Sequence, residues 1–344
     1  MKLYDDNGYF NFRAVRDLGQ PYNFILGGRG TGKTYGALKV CIEDQQKFVF
    51  LRRRQNQLDL INKPEFSPIR PLCRVEGWRY TMRSIAKGLS AFVPYEIGEK
   101  GEEIISGPPV GFTAALSTVG SVRGFDSSDV LTAIYDEAIP ETGERPLPNE
   151  ADKLANFYET FNRNRELEGR PPLQLFCLAN ANDLGSSILQ AWGVTERVER
   201  MRKRGTGLFI EKEQGICLVV LQDSPISEKK KGTALYRLMG GSRFSEMALN
   251  NDFSYNDRSH VISRPLGEYR PIAQYGDYVF YSHKSERRYY ISPHKSGAPK
   301  IYQKTETGLD KLRRDLDYLY DAYMDGRVEF ETWSCQVFFE DIIY

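Results

Sequence analysis

The sequence has no long hydrophobic run. None of its apolar stretches approaches the ~18 residues of a membrane-spanning helix, and its start lacks the apolar core of a signal peptide. The five cysteines are scattered and never spaced as C-x-x-C, which argues against a zinc site and favours thiols in a reducing compartment. The chain also lacks an excess of one charge, because its net charge is +1. That balance excludes a static nucleic-acid coat protein but not a local basic track.

Length and composition predict a globular protein with more than one domain. The 344 residues are too many for one small core, and 40% hydrophobic and 27% charged residues are ordinary values for a globular chain with no membrane partner. The pattern along the chain predicts an α/β domain over residues 1–205 and a small strand-rich α+β domain over 251–344. Proline, lysines and glycines between them predict a mobile connector over 206–250.

The most informative stretch is residues 27–34, GGRGTGKT, which fits the phosphate-binding pattern G-x-x-x-x-G-K-[ST] at every required position. An apolar run over 22–26 predicts a buried strand before it, and a helical pattern begins at about Lys33. Glycines let backbone N–H groups point at phosphate oxygens, and the helix adds its positive end. Lys33 is predicted to reach the β- and γ-phosphates of ATP, and the Thr34 hydroxyl to bind Mg²⁺. The predicted ATP-binding residues are Gly27, Gly28, Arg29, Gly30, Thr31, Gly32, Lys33, Thr34 and Tyr35.

A second informative stretch, residues 130–137 (VLTAIYDE), is an apolar strand that ends in two carboxylates. Asp136 is predicted to hold the Mg²⁺ that Thr34 contacts, and Glu137 to orient and polarise the attacking water. An apolar run followed by Asp-Glu is a weak signal alone, but together with the phosphate loop it indicates ATP hydrolysis. Asn180 ends the next apolar run and suits a sensor of the γ-phosphate, with a turn-forming asparagine as the alternative.

Two basic runs leave their function open. Residues 52–54 (RRR) follow an apolar strand pattern, and they either meet phosphate or DNA or form a solvated turn. Residues 229–231 (KKK) lie in the predicted connector and either contact DNA phosphates or are only solvated.

The order of these motifs resembles the DNA-packaging (encapsidation) ATPases of small Picovirinae-type podophages. The resemblance rests on residues 27–34, 136–137, 163–166 (RNRE) and 178–180 (LAN), and it extends to 243–251 (RFSEMALNN). It implies an ASCE-type P-loop ATPase, related to large terminases, with a central mostly parallel sheet. It further implies that ATP and Mg²⁺ drive double-stranded DNA into the procapsid. The motor would be a homo-oligomeric ring, a pentamer by this resemblance, on the portal at the procapsid vertex in the host cytoplasm.

The resemblance also implies two cations that complete the site of a neighbouring subunit. The family pattern places the arginine finger on Arg163 and a second trans-acting cation on Arg123. A guanidinium at the γ-phosphate stabilises the charge of the transition state and makes hydrolysis depend on subunit contact. The alternatives are a cation at a helix end for Arg163 and an ordinary loop arginine for Arg123.

The C-terminal domain resembles a degenerate RNase H-like nuclease, which the resemblance implies is retained to bind DNA, the portal or a scaffold RNA. A working nuclease of this type needs several carboxylates on adjacent strands to hold two metals, and residues 270–275 (RPIAQY) contain no acid. Three alternatives remain: a terminase-like ATPase with an active nuclease, a P-loop helicase or remodelling ATPase, and a P-loop kinase. Glu137 and the two arginines argue against the kinase.

Overall fold

The chain forms two compact units, and each is described by itself. The computed structural model describes residues 1–86, 88–122, 127–140, 147–180, 186–222, 224–240, 242, 259–294 and 297–343. The first unit consists of Met1–Trp192 and Val198–Ser254, and the second of Gly193–Arg197 and Tyr255–Tyr344. No helix in the described part of the chain is long and apolar enough to cross a membrane.

The first unit is built on a ten-stranded sheet. Its strands are β1 (Tyr22–Gly27), β2 (Phe48–Arg52), β3 (Tyr80–Ala86), β4 (Leu89–Ile97), β5 (Glu103–Ile105), β6 (Gly111–Ala115), β7 (Thr132–Asp136), β8 (Gln174–Asn180), β9 (Leu208–Glu211) and β10 (Ile216–Leu221). The helices along this part of the chain are α1 (Phe12–Arg16), α2 (Lys33–Glu43), α3 (Gln55–Ile61), α4 (Arg70–Glu76), α5 (Glu150–Asn162), α6 (Ser187–Ala191), α7 (Val194–Arg204), α8 (Pro225–Lys231) and α9 (Ala234–Leu238).

The middle of this sheet is parallel. The strand order is β3-β4-β6-β2-β7-β8-β1-β10-β9, with β5 beside β4. Within this order, the six adjacent strands β6, β2, β7, β8, β1 and β10 are all parallel to one another. Antiparallel strands close both edges. The central strands are continuous apolar runs because both faces of a parallel sheet are covered. The prediction of an α/β fold with a mostly parallel central sheet is confirmed.

Parallel pairing brings the ends of several strands to one edge of the sheet. Gly27 lies opposite Asn180 of β8 and Leu221 of β10, and Asp136 of β7 lies opposite Leu178 of β8. Ligands bind at the carboxyl ends of parallel strands because loops and helix N-termini converge there. The sheet therefore places the phosphate loop beside the carboxylates that end β7.

The predicted connector over 206–250 needs correction. Residues 208–221 contain β9 and β10, and β10 is a buried strand paired with β1, so the first unit continues past the predicted boundary at 205. Residues 225–238 form α8 and α9 and not an irregular linker. The run ICLVVL in β10 has the unbroken hydrophobicity of a buried parallel strand. The stretch 243–251, to which the resemblance extended, lies outside the described residues.

The second unit contains a five-stranded sheet in the order β14-β11-β12-β13-β15. Its elements are β11 (Tyr269–Tyr275), β12 (Tyr278–His283), β13 (Tyr289–Ser292), β14 (Ile301–Tyr302), α10 (Glu306–Asp315), α11 (Tyr318–Met324), β15 (Val328–Phe330) and α12 (Trp333–Ile343). The antiparallel meander β11–β13 confirms the small strand-rich C-terminal domain. Helices α10 and α11 are separate because Asp317 caps the second one, where its side chain accepts from the N–H of Tyr318.

The three strands of the meander contain no acidic side chain, and the acids at 277 and 286 lie in its turns. Glu329 of β15 forms an ion pair with Arg264, at 2.7 Å from Nη2 to Oε1. Among the described residues, no group of three or more His, Cys, Asp or Glu side chains is placed to hold a metal ion. The likeness of this domain to a degenerate nuclease stays a prediction.

Candidate active site

The loop between β1 and α2 depends on two glycines. Gly30 and Gly32 have φ values of 68° and 86°, a left-handed conformation that side chains with a Cβ rarely adopt. The Thr31 hydroxyl donates to the Gly28 carbonyl at 3.0 Å and fixes the turn. Helix α2 begins at Lys33, and the first N–H groups of a helix have no partner within it. The loop therefore presents N–H donors and a helix N-terminus, which is the arrangement that binds phosphate.

Lys33 is buried at the centre of this loop. Its Nζ lies 2.9 Å from the carbonyl oxygens of both Gly27 and Gly28 and 3.4 Å from Oδ1 of Asn180. Burial lowers the pKa of Lys33 to about 8, although the charge of Asp136 acts in the opposite direction. A buried ammonium beside neutral oxygens is stabilised by any anion that enters the site.

The residues predicted to hold Mg²⁺ are in direct contact. The Thr34 hydroxyl donates to Oδ1 of Asp136 at 2.7 Å. Burial raises the pKa of Asp136, while Arg52 and the Thr34 hydroxyl oppose that shift. Mg²⁺ prefers hard oxygen ligands, so one hydroxyl and one carboxylate that share a site fit the ion.

Arg52, at the end of β2, bridges the two acidic residues that follow β7. Its Nη2 lies 3.1 Å from Oδ2 of Asp136, and its Nη1 lies 2.5 Å from Oε2 of Glu137. Glu137 also has a φ of 56°, which is strained for a residue other than glycine. The first arginine of the basic run 52–54 therefore contacts the two carboxylates that follow β7, and its side chain is too buried for a solvated turn.

Arg53 stabilises the strained turn at Glu137. Its side chain is only 1% exposed, and its Nη2 donates to the carbonyl oxygens of Glu137 at 3.0 Å and Ala138 at 3.1 Å. Its Nε donates to Oε1 of Glu150 at 2.7 Å, and the Tyr135 hydroxyl donates to the same oxygen at 2.6 Å. This buried network fixes the backbone that carries Glu137. Sequence reasoning missed it because Glu150 belongs to a distant helix.

Replacing Arg53 with methionine is expected to lower the free energy of unfolding by about 3–5 kcal/mol, because it leaves the Glu150 carboxylate buried without its cation. Chemical denaturation followed by circular dichroism measures the loss. Arg83→Ala is the control, since its ion pair with Glu103 is exposed and its loss should cost under about 0.5 kcal/mol. Equal stabilities for the two variants would contradict this role.

The predicted residues surround one cavity. Its volume is about 250 Å³. The lining residues are Gly30, Thr31, Gly32, Lys33, Thr34, Tyr35, Asp136, Glu137, Leu178, Ala179 and Asn180. The carbonyl oxygens of Gly27 and Gly28 accept hydrogen bonds from Lys33, and the carbonyl oxygen of Arg29 accepts one from Lys230. The structure thus brings together all the residues predicted for ATP, Mg²⁺, water activation and sensing.

Arg163 lies elsewhere. It follows α5 and is exposed, and the same end of this helix contacts the start of β8 through Asn162, whose Oδ1 accepts from the N–H of Leu173 at 2.8 Å. Glu150, at the other end of α5, contacts Tyr135 near the cavity. Because α5 has 13 residues and a helix rises about 1.5 Å per residue, some 20 Å separate its ends. Arg163 therefore does not line the cavity of its own chain.

The other residues of the RNRE stretch and the second predicted cation have different positions. Arg165 is buried, and its Nη2 donates to the carbonyl oxygens of Ser127 at 2.9 Å and Val130 at 2.5 Å, so it anchors the start of β7. Arg123 lies outside the described residues, and its role stays a prediction.

Two curated relatives are similar over most of this chain. A DNA packaging protein of Bacillus phage B103 is 27% identical over 248 residues, which are 70% of this chain and 67% of that protein. A DNA packaging protein of Bacillus phage phi29 is 26% identical over 257 residues, 72% of this chain and 67% of that protein.

Solved structures share the fold over nearly the whole chain. The Phi-28 gp11 DNA packaging motor superposes with a TM-score of 0.65 at 19% identity, covering 98% of this chain and 97% of that one. The bacteriophage Phi-29 viral genome packaging motor assembly gives a TM-score of 0.64 at 18% identity, with coverages of 97% and 98%.

A family profile covers the part of the chain that carries most of the catalytic candidates. The profile described as Podovirus DNA encapsidation protein (Gp16) matches residues 85–272. This range contains Glu137, Arg163 and Asn180 but not the phosphate loop, so the loop and the match are independent observations. Because the match spans more than half of the 344 residues, the chain belongs to the podovirus DNA encapsidation protein (Gp16) family.

Proposed function

We propose that this chain is the ATPase of a viral DNA-packaging motor, which couples ATP hydrolysis to translocation of double-stranded DNA into the procapsid. The observation that carries the ATPase assignment is the cavity in which Lys33, the Thr34–Asp136 pair and Glu137 meet. Membership of the encapsidation family supports DNA packaging as the use of that ATPase. The packaging proteins of Bacillus phages B103 and phi29 support the same function.

Binding of ATP follows from the loop and its lysine. The N–H groups at the start of α2 donate to phosphate oxygens, and Lys33 exchanges its carbonyl acceptors for the β- and γ-phosphates. Thr34 and Asp136 would hold Mg²⁺, which neutralises charge on the phosphates when bound. Asn180 would act as the γ-phosphate sensor, and its Oδ1, 3.4 Å from Nζ of Lys33, supports this role.

Hydrolysis needs a carboxylate that can act on water. Glu137 lines the cavity, and its Oε2 is held by Arg52. Its carboxylate accepts a hydrogen bond from the attacking water and polarises it toward the γ-phosphate. While Arg52 holds Glu137, one oxygen of the carboxylate is engaged, so release from Arg52 increases its ability to activate water.

Arg163 is proposed to complete the site of a neighbouring copy in a ring, a pentamer by resemblance. Its exposure and its distance along α5 from its own cavity support a role in trans. An arginine from the adjacent subunit stabilises the charge that develops in phosphoryl transfer and restricts hydrolysis to assembled subunits. The proposed partners are double-stranded DNA, the portal and a scaffold RNA. Contacts to DNA should be mostly to phosphates, since a motor must accept any sequence.

ATP hydrolysis by the purified chain tests the assignment directly. The wild type with Mg²⁺ is expected to release phosphate, with a higher rate when double-stranded DNA and procapsids are added. Lys33→Ala should remove this activity by weakening ATP binding. A Lys33→Ala variant that is folded and as active as the wild type would refute the assignment of the ATP site. DNA packaging itself is tested by mixing the chain with DNA and procapsids and measuring how much DNA is protected from nuclease.

The pKa of Lys33 gives a second prediction. Because burial lowers it to about 8, much of the lysine is neutral at pH 8.5 in the ligand-free chain, and a triphosphate beside it raises the pKa again. ATP binding at pH 8.5 should therefore take up roughly half to one proton, and affinity should fall as the pH rises above 8. Calorimetry in buffers of different ionisation enthalpy measures the uptake. A Lys33→Arg variant, which stays protonated, should lose it, and a buffer-independent enthalpy in the wild type would contradict the shift.

A further inference from the structure

A second lysine lies over the phosphate loop. Lys230 is near the end of α8, and its Nζ donates to the carbonyl oxygen of Arg29. A Cβ placed on Gly30 would lie 2.3 Å from that Nζ and 3.2 Å from Cε, so the lysine head lies directly against the backbone of the loop.

The fold holds α8 in this place. Helix α8 follows β10 closely, and β10 ends opposite Gly27, where the loop begins. Lys229 donates from Nζ to the carbonyl of Asn7 at 3.3 Å, and a Cβ on Gly8 would be 2.8 Å from Cβ of Pro225. The helix is therefore packed against the N-terminal segment beside the loop, and Lys230 reaches the loop from a fixed support.

The charges around the loop point to an anion as the partner of Lys230. Two ammonium groups approach one short loop, and Lys33 and Lys230 donate to neutral oxygens of the loop and of Asn180. Burial lowers the pKa of Lys230. Like charges at close range repel, and a polyphosphate that lies between them removes that cost.

We propose that Lys230 is a nucleotide-binding residue, which exchanges the Arg29 carbonyl for a phosphate oxygen of ATP bound in the loop of the same chain. This inference rests on the proposed function, in which the loop binds ATP. It assigns one lysine of the run 229–231 to the nucleotide, where sequence reasoning considered only DNA phosphates or solvent. It also makes α8 an element that responds to ATP, since its end is tied to the phosphate chain.

The test is the affinity of the full-length chain for the slowly hydrolysed analogue ATPγS with Mg²⁺, measured by calorimetry without DNA. Lys230→Ala is expected to weaken binding by about tenfold or more, because it removes a charge-assisted hydrogen bond. Lys230→Arg should stay within about threefold of the wild type, since it keeps both the charge and the donor. Lys231→Ala is the matched control, because it removes the same charge from the same helix. In the wild type, Nζ of Lys231 forms an ion pair with Glu228 at 2.5 Å.

The outcomes separate this inference from the function on which it rests. Weaker binding by Lys230→Ala than by Lys231→Ala, at equal melting temperatures, supports the inference. Equal affinities of these two variants overturn it, whether or not the melting temperature of Lys230→Ala falls. Lys230→Met, which keeps the aliphatic chain, replaces Lys230→Ala if the latter does not fold. Failure of the wild type to bind ATPγS more tightly than Lys33→Ala would instead refute the nucleotide site itself.

Discussion

Glu137→Gln is expected to lower kcat for ATP hydrolysis by about 10²–10⁴-fold, the range that a positioned general base contributes. Glutamine keeps the size of the side chain and can still contact Arg52, so the strained turn held by Arg53 should persist. In the proposed site ATP binding depends on the loop, Thr34 and Asp136, so affinity for ATP should change little. The variant is therefore expected to bind ATP and hold it uncleaved.

Steady-state phosphate release and equilibrium ATP binding separate these two effects. Glu99→Gln is the matched control, because Glu99 is an exposed acid at the turn after β4, outside the cavity, and the same change there should leave kcat unaltered. Loss of binding together with loss of turnover would place Glu137 in the binding site but not in water activation. Turnover at the wild-type rate would remove Glu137 from the mechanism.

Arg163→Ala is expected to lower the ATPase rate of the assembled motor by about 10³-fold or more, as removal of an arginine finger does in other phosphoryl-transfer enzymes. Its exposed position predicts little change in stability, and its distance from its own cavity predicts little change in ATP binding by single subunits. The defect should therefore show only under conditions in which subunits assemble.

The measurement compares ATPase rates with and without procapsids and DNA. Arg70→Ala, at the exposed start of α4, is the control for loss of a surface arginine. Arg163→Lys should recover only part of the rate, because an ammonium keeps the charge but lacks the planar fork of guanidinium. An assembled Arg163→Ala motor with the wild-type rate would show that Arg163 is only a cation at a helix end.

Local sequence predicted which residues meet at the cavity because they are adjacent in sequence or end neighbouring strands. The spacing of residues 27–34 identifies a loop, and an apolar strand that ends in Asp136 and Glu137 identifies its partner. Parallel strands then bring these ends together without further information. Asn180 followed from the same reasoning, since it ends the strand between β7 and β1.

The parts that sequence did not predict depend on contacts between distant segments. Arg53 and Glu150 are separated by 97 positions, and neither residue has a neighbour in sequence that reveals the pair. The contact of Lys230 with Arg29 spans 201 positions and requires β10 beside β1. The wrong prediction of a connector over residues 208–221 has a different cause. Lysines and glycines nearby are typical of a linker, but the apolar run of β10 is typical of a buried strand.

In the proposed motor, each ATP site is completed by Arg163 of the neighbouring subunit. The most direct measurement is the ATPase rate of motors assembled from an equal mixture of Glu137→Gln and Arg163→Ala subunits. In a ring with head-to-tail contacts, about a quarter of the sites combine an intact Glu137 with an intact Arg163 from the neighbour, so the mixture should recover up to about a quarter of the wild-type rate. A mixture no more active than the average of its two inactive parents would contradict the claim.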